Sequence, residues 1–192
     1  MKKKENNFKK HILGKNIIIL FLLALTLSCC NNDDDNNSGS SLPPATQTGA
    51  NTVGCLVNGE VFLPHAEGIN PSVNCFYQFV GGEWYFSMSF ADLRGATNER
   101  VTVQSGKVEL QEGETYVLSK NFNDDGDFTG GGGTYSLSAS NRYFTTTQES
   151  GELTITRLDL SNSIISGTFW FDAVNGNGEV VEIRDGRFDW DY

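Results

Sequence analysis

Residues 165–192, ISGTFWFDAVNGNGEVVEIRDGRFDWDY, encode two strands joined by a turn. The turn is NGNG, because Asn and Gly readily adopt the left-handed backbone that tight turns need. In the second strand the apolar residues stand at odd positions as far as Ile183 and at even positions from Phe188 onward. The first strand, residues 164–174, needs a partner of similar length. We therefore predict one continuous second strand with a β-bulge at Asp185-Gly186, in preference to a further Asp-Gly hairpin.

The same alternation of apolar and polar residues, which buries one face of a strand, recurs along the chain from Val53 onward. It is clearest in WYFSMSFA (84–91), ERVTVQSGKVEL (99–110) and GTYSLSAS (133–140). Turn sequences separate the strands: Asn58-Gly59 suits a type I′ hairpin turn, and Gly81-Gly82 has the same role. We therefore predict an all-β fold, an antiparallel barrel or sandwich of about nine or ten strands joined by up-and-down hairpins.

The N-terminus has the pattern of an export signal. Lysines are followed by IIILFLLALTL (17–27), whose 11 residues are too few for a membrane-spanning helix, which needs about 20. Ser28-Cys29 then resembles a bacterial lipobox, in which the cysteine becomes the new N-terminus and carries a diacylglyceryl group. We predict lipidation at Cys29, with Cys30 as the alternative site. Several acyl chains at this position would anchor the protein in a lipid bilayer.

The predicted domain organisation follows from this junction. Residues 1–28 are the signal peptide, 29–52 are the lipidated cysteine and a disordered polar tether, and 53–192 are a single β domain. The tract NNDDDNN (31–37) resembles the acidic segment that follows the lipidated cysteine in surface-exposed lipoproteins of Bacteroidota. That resemblance implies display on the outer face of the outer membrane. A solvated spacer facing the periplasm is the alternative.

The charge of the chain argues against nucleic acid as a partner. Removal of residues 1–28 takes away six lysines and one glutamate, which leaves eight basic and 23 acidic residues and a net charge of −15. A body of this charge repels polyanions and anionic lipid surfaces. We expect no nucleic-acid binding and no cofactor.

Two cysteines remain in the β domain, Cys55 and Cys75, in the strand-like segments VGCLVNG and SVNCFYQF. An exported protein lies in a compartment where disulfides persist. We therefore predict a bridge between neighbouring strands, the alternative being two buried thiols that act as small apolar side chains.

Candidate site residues are few. His65 is the one histidine after the signal segment and lacks the further ligands of a zinc site. The stretch NDDGDFTGGGG (123–133) offers a calcium candidate, Asp124, Asp125 and Asp127, but it lacks the EF-hand spacing, and a solvated acidic hairpin loop explains it better. Aromatic side chains able to stack on a sugar ring alternate within strands and suit the core better; they are Trp84, Tyr143, Trp170 and Trp190.

Three segments resemble an uncharacterised family of Bacteroidota lipoproteins: TGANTVGCLVNGEVF, GELTITRLDLSNSIISGTFWFDAV and VVEIRDGRFDWDY. The family carries a GTFxFxA strand followed by a closing IxxGRFDxxY strand. The resemblance implies a lipid-anchored protein of the outer membrane and assigns no activity and no catalytic residue.

The sequence therefore predicts a lipoprotein whose β domain is a non-catalytic binding module for an unknown protein or glycan. A lipocalin-like carrier of small molecules is the first alternative, and it requires an apolar cavity open at one end. A glycan hydrolase is the second, and it requires two converging carboxylates.

Overall fold

The computed structural model describes residues 41–94, 98–121 and 129–192. All regular elements in these residues are β-strands, which confirms the all-β prediction, with eleven strands in place of nine or ten. The strands are β1 (Thr52–Val57), β2 (Glu60–Phe62), β3 (Val73–Val80), β4 (Glu83–Asp92), β5 (Glu99–Gly106), β6 (Thr115–Leu118), β7 (Gly130–Ser136), β8 (Arg142–Phe144), β9 (Gly151–Asp159), β10 (Ile164–Val174) and β11 (Val180–Asp191).

The strands form one sheet in the order β2-β1-β11-β10-β9-β6-β7-β5-β4-β3, with β8 pairing with β7 and β10. All pairs are antiparallel except β6 with β7, which share one parallel pair, Leu118 with Gly131. The sheet bends so that its two halves face each other across a common core, giving a sandwich- or barrel-like body. The first strand, β1, pairs with the last, β11, and β2 and β3 stand at the two ends of the strand order.

Apolar and polar residues alternate along the strands, and the apolar ones form the core. On β4, Phe86, Met88 and Phe90 are fully buried, and on β5 Val101 and Val103 are fully buried. The intervening Ser89 and Thr102 are half-buried on the wetter face, as the period of two requires, whereas Ser87 is buried as well.

Aromatic rings from the two halves of the sheet meet in the core. Phe86 of β4 stacks on Phe188 of β11 with the ring centroids 5.7 Å apart. Phe90 of β4 lies edge-on to Phe169 of β10 at 6.4 Å. Because these rings are in contact across the body, they occupy the space in which a carrier would hold a ligand.

The predicted turns are confirmed. Asn58 and Gly59 between β1 and β2 have φ values of 49° and 85°, the pair of positive angles that a type I′ turn needs. Gly81 and Gly82 between β3 and β4 are also positive, at 64° and 92°. In NGNG, between β10 and β11, the Asn175 side-chain oxygen accepts hydrogen bonds from two backbone amides that follow it in the turn.

The predicted β-bulge is confirmed as well. β11 runs without interruption from Val180 to Asp191, and its pairing with β10 shifts register between Phe169 and Phe171. Asp185 adopts φ of 51°, an uncommon conformation for a residue with a side chain. The extra residue explains why the buried positions change from odd to even numbers along this strand.

The glycine run Gly130–Gly133 corrects one prediction. It is not a loop, because it forms the first part of β7 and pairs with Val103–Gly106 of β5. A Cβ atom at Gly133 would lie 2.7 Å from two ring carbons of the buried Phe171. Glycine is required here because an aromatic ring from the other half of the sheet packs directly on the backbone.

The predicted disulfide is not formed: Cys55 and Cys75 are both free thiols. The prediction that they lie on neighbouring strands is wrong, since β1 pairs with β2 and β11 whereas β3 pairs with β4. Burial raises the pKa of the Cys75 thiol to about 12 and raises that of Cys55 further. Both therefore act as small apolar side chains, the alternative considered from the sequence.

Candidate functional site

A row of polar side chains crosses the outer face of β9, β10 and β11. Thr168 of β10 pairs with Thr154 of β9 on one side and with Arg187 of β11 on the other. Two residues further along β10, Trp170 pairs with Glu152 of β9. Side chains two residues apart in a strand point to the same face, so both rows lie on the solvent side of the sheet.

The bulge in β11 completes this surface. Arg184 and Arg187 are three residues apart, and a regular strand would point them to opposite faces. The extra residue at Asp185-Gly186 shifts the phase, so both arginines lie on the outer face. Re-aiming of a side chain is a common role of bulges near binding sites. Arg184 lies next to Trp170, and Arg187 next to Thr168.

Trp170 is held in place from both neighbouring strands and stays 40% exposed. Its indole N–H donates a hydrogen bond to Glu152 Oε2 at 3.3 Å. The Arg184 guanidinium lies 5.5 Å from the ring centroid and forms a 2.6 Å ion pair with Asp172. An exposed indole fixed in this way offers an apolar surface at small cost in conformational entropy.

These residues line a cleft of about 490 Å³. Its charged side chains are two acidic and two basic, so the lining carries no net charge. The lining consists of Ala45, Glu152, Thr154, Thr168, Phe169, Trp170, Arg184, Asp185, Gly186 and Arg187. Ala45 precedes β1 and belongs to a segment, residues 45–50, which we call the N-terminal strap.

Asp189 of β11 fixes the strap to the sheet. It is 1% exposed, although it points to the outer face, because the strap covers it. Burial by itself raises the pKa of this carboxyl, yet the donated hydrogen bonds outweigh it and hold the pKa well below the usual range. The donors are the amides of Thr48 (2.9 Å), Gly49 (2.8 Å) and Ala50 (3.1 Å) and the hydroxyls of Thr46 (2.7 Å) and Ser166 (2.7 Å).

The strap corrects the predicted boundary between tether and domain. Residues 46–50 were predicted to be disordered, but they donate most of the hydrogen bonds that Asp189 accepts. The segment is rich in Thr, Gly and Ala and has no apolar pattern that would predict an ordered structure. It is ordered because it donates to a carboxylate about 140 residues away in the sequence.

A larger cleft of about 780 Å³ lies beside the β1–β2 hairpin and is lined by Phe62, Asp92, Arg94, Glu99 and Tyr135, among others. Of its charged groups, Asp92, Arg94 and Glu99 already have partners within the cleft. Arg94 donates to Asp92 at 2.6 Å and lowers the pKa of that carboxyl to about 2. The Tyr135 hydroxyl donates to Glu99 at 3.1 Å. We favour the Trp170 cleft because Arg187 there has no carboxylate partner among the described residues.

The other aromatic candidates are placed in the core. Tyr143 is buried, and Trp84 and Trp190 are partly buried against the core cluster. His65 lies near Asp92, with its Nδ1 at 3.4 Å from Oδ2 and 3.0 Å from the Leu63 carbonyl oxygen. The structure therefore brings one of the four predicted stacking residues, Trp170, to an exposed cleft.

Several predicted site residues lie outside the described residues: Cys29, Cys30, Asp124, Asp125 and Asp127. Within the described ranges no group of three or more His, Cys, Asp or Glu side chains could hold a metal ion. Nor does the described part of the chain contain a helix of the length and apolarity needed to cross a membrane.

Fold and cleft together define an all-β domain with an aromatic and polar cleft on the outside of its sheet. The chain belongs to the family described as a domain of unknown function, DUF6252, whose model matches residues 92–189, about half of the chain. The matched region includes Trp170 and both arginines of the cleft. No curated protein and no solved structure matches the chain.

Sequence reasoning missed Arg184, Arg187 and Asp189 as site or positioning residues. The change of phase in β11 could have identified them. A bulge that shifts the inward-facing apolar residues from odd to even numbers also shifts the outward-facing polar residues from even to odd numbers. Once Phe188 is placed inward, Arg187 and Asp189 point outward.

Proposed function

We propose that this protein is an outer-membrane lipoprotein, exposed at the cell surface, whose β domain is a non-catalytic binding module. The observation that carries the binding role is Trp170, an aromatic side chain held on the outer face of the sheet in a charge-balanced cleft. The packed aromatic core argues against the carrier alternative, since Phe86 and Phe188 are in contact where a carried ligand would lie. The lipidated cysteine, Cys29, and the acidic tract behind it support the anchored, surface-exposed location.

Anchoring is tested by replacing the predicted lipidation site. We expect Cys29→Ser to move the protein from the membrane fraction to the soluble fraction of fractionated cells and to abolish incorporation of radiolabelled palmitate. Cys30→Ser serves as the matched control and should leave both unchanged. Proteinase K added to intact cells should degrade the wild-type protein if it faces outward. Protection from the protease would place it on the periplasmic side and overturn the surface location.

The binding role is tested by Trp170→Ala. Truncation of a central aromatic residue of an interface weakens binding by about thirtyfold or more, and here the fold should survive because the side chain is 40% exposed. Phe79→Ala is the control, since Phe79 is 59% exposed on the β3–β4 hairpin, away from the cleft. Cell-surface extracts and glycan and peptide arrays are probed with both variants and the wild type. If every captured partner binds Trp170→Ala as well as wild type, the cleft is not the binding site.

A further inference from the structure

We infer that the Trp170 cleft recognises a neutral saccharide chain, with Trp170 stacking on one sugar ring and Arg187 donating to its hydroxyls. This inference rests on the proposed binding function and names its ligand class. Three features of the cleft carry it: the charge balance of its lining, the presence of both donors and acceptors in that lining, and the position of Arg187 on the strand next to that of Trp170.

The charge balance separates neutral from ionic ligands. Glu152 and Asp185 offset Arg184 and Arg187 in the lining, in a domain that is strongly acidic as a whole. An anionic chain would meet two carboxylates in the cleft in addition to the negative field of the whole domain. A cationic peptide would meet the guanidinium of Arg187, while that of Arg184 is already paired with Asp172. A neutral ligand meets neither penalty, and charged side chains still form stronger hydrogen bonds to it than neutral ones do.

The hydrogen-bonding groups suit hydroxyls, which donate and accept at once. Glu152 and Asp185 offer acceptors, Arg187 offers donors, and the Thr168 hydroxyl offers both. The Thr154 hydroxyl shares a 2.8 Å hydrogen bond with that of Thr115 and keeps acceptor capacity for a ligand. Arg187 uses its Nε–H on the Asp185 carbonyl at 3.1 Å, which orients the guanidinium and leaves its terminal nitrogens without a carboxylate partner among the described residues. A planar fork of this kind can bind two adjacent hydroxyls of a sugar.

The indole and the Arg187 guanidinium come from neighbouring strands, β10 and β11. Thr168 lies directly across from Arg187, and Trp170 is the next outward residue of β10. The two side chains are therefore diagonal neighbours, about 7–8 Å apart at the backbone. The Arg184 guanidinium lies over one face of the indole, so a pyranose ring would stack by its apolar C–H face on the other face. Its hydroxyls would then extend sideways, toward Arg187 and Thr168. Peptides lack this combination of a flat apolar face and a ring of hydroxyls.

The test uses the full-length protein purified in detergent and four neutral oligosaccharide series, with glucose, galactose, mannose and xylose backbones. Binding is measured by titration calorimetry and by the change in tryptophan fluorescence. We expect at least one series to bind, with an affinity that changes little between 50 mM and 500 mM salt, since no ion pair forms with the ligand. We expect Trp170→Ala to abolish this binding and Arg187→Gln to weaken it about tenfold or more. Arg94→Gln, in the other cleft, should leave it unchanged.

The remaining outcomes separate this inference from the proposed function. If ligands that depend on Trp170 are acidic polysaccharides or peptides only, with affinity that falls steeply with salt, the neutral-saccharide inference is wrong and the binding function stands. If Arg187→Gln binds a neutral series as tightly as wild type, the assigned role of Arg187 is overturned. If no ligand of any class depends on Trp170, both the inference and the proposed function fail.

Discussion

Replacing Asp189 by alanine lowers the free energy of unfolding by about 3–5 kcal/mol, because the change leaves several donors of the strap and of Ser166 without an acceptor. In the wild type these donors converge on one carboxylate that is 1% exposed. For a domain of this size we expect the midpoint of thermal unfolding to fall by roughly 10 °C or more. Thermal and urea denaturation of the two proteins, followed by circular dichroism, measures the difference.

Asp191→Ala is the matched control for this change. Asp191 stands two residues further along β11 with its side chain exposed, and removal of an exposed carboxylate should change stability by no more than about 0.5 kcal/mol. Hydrogen exchange locates the effect of the Asp189 change, since the amides of Thr48, Gly49 and Ala50 should lose protection before the sheet does. Equal destabilisation by both alanine variants would contradict the proposed role of Asp189.

The Asp189 carboxyl also makes the free energy of unfolding depend on pH. The pKa of this group is lower in the folded protein than the value of about 3.9 for an unperturbed aspartate. Its contribution is therefore present above about pH 4 and is lost as the pH falls from there toward the folded pKa, because the unfolded chain takes up the proton first. We expect the difference in stability between wild type and Asp189→Ala to shrink steadily in that window. A difference independent of pH down to pH 2 would mean that the carboxylate is not what stabilises the strap.

The local features of the fold could be predicted from the sequence because neighbouring residues determine them. Alternation identifies Phe86, Met88 and Phe90 as one buried face, and the Asn58-Gly59 turn needs no information beyond its own two residues. The bulge in β11 is visible as a change of phase. Each of these features is encoded within about ten residues of sequence.

What the sequence does not reveal depends on contacts between distant segments. The free thiols of Cys55 and Cys75 follow from the sheet order, which places their strands apart. The order of the strap follows from Asp189, and the exposure of Trp170 follows from which face of β10 meets the core. In each case the local pattern is compatible with two outcomes, and only the pairing of strands far apart in the chain selects one.

The glycine run of β7 shows the same dependence on a distant partner, and it leads to the second large effect. We expect Gly133→Ala to destabilise the protein by roughly 3 kcal/mol, because its Cβ would lie 2.7 Å from ring carbons of Phe171. The ring cannot retreat easily, since Phe171 is fully buried and packs on Phe169 with 6.4 Å between centroids. Gly176→Ala is the control: no atom lies within 4 Å of its Cβ position, so its stability should match wild type within about 0.5 kcal/mol.

A double variant distinguishes a steric clash from an intrinsic need for glycine in the strand. Leucine at Phe171 removes the ring atoms that the new methyl group would meet, so Gly133→Ala should cost less in the Phe171→Leu background than in the wild type. We expect a coupling of about 1 kcal/mol or more between the two positions, measured by urea denaturation of all four proteins. Strictly additive losses would show that Phe171 is not the obstacle. A coupling of the expected size would instead establish that the Gly133 backbone and the Phe171 ring pack against each other as one unit. This contact joins the two halves of the sheet. Phe171 lies on the core side of β10, the strand whose outer face carries Trp170.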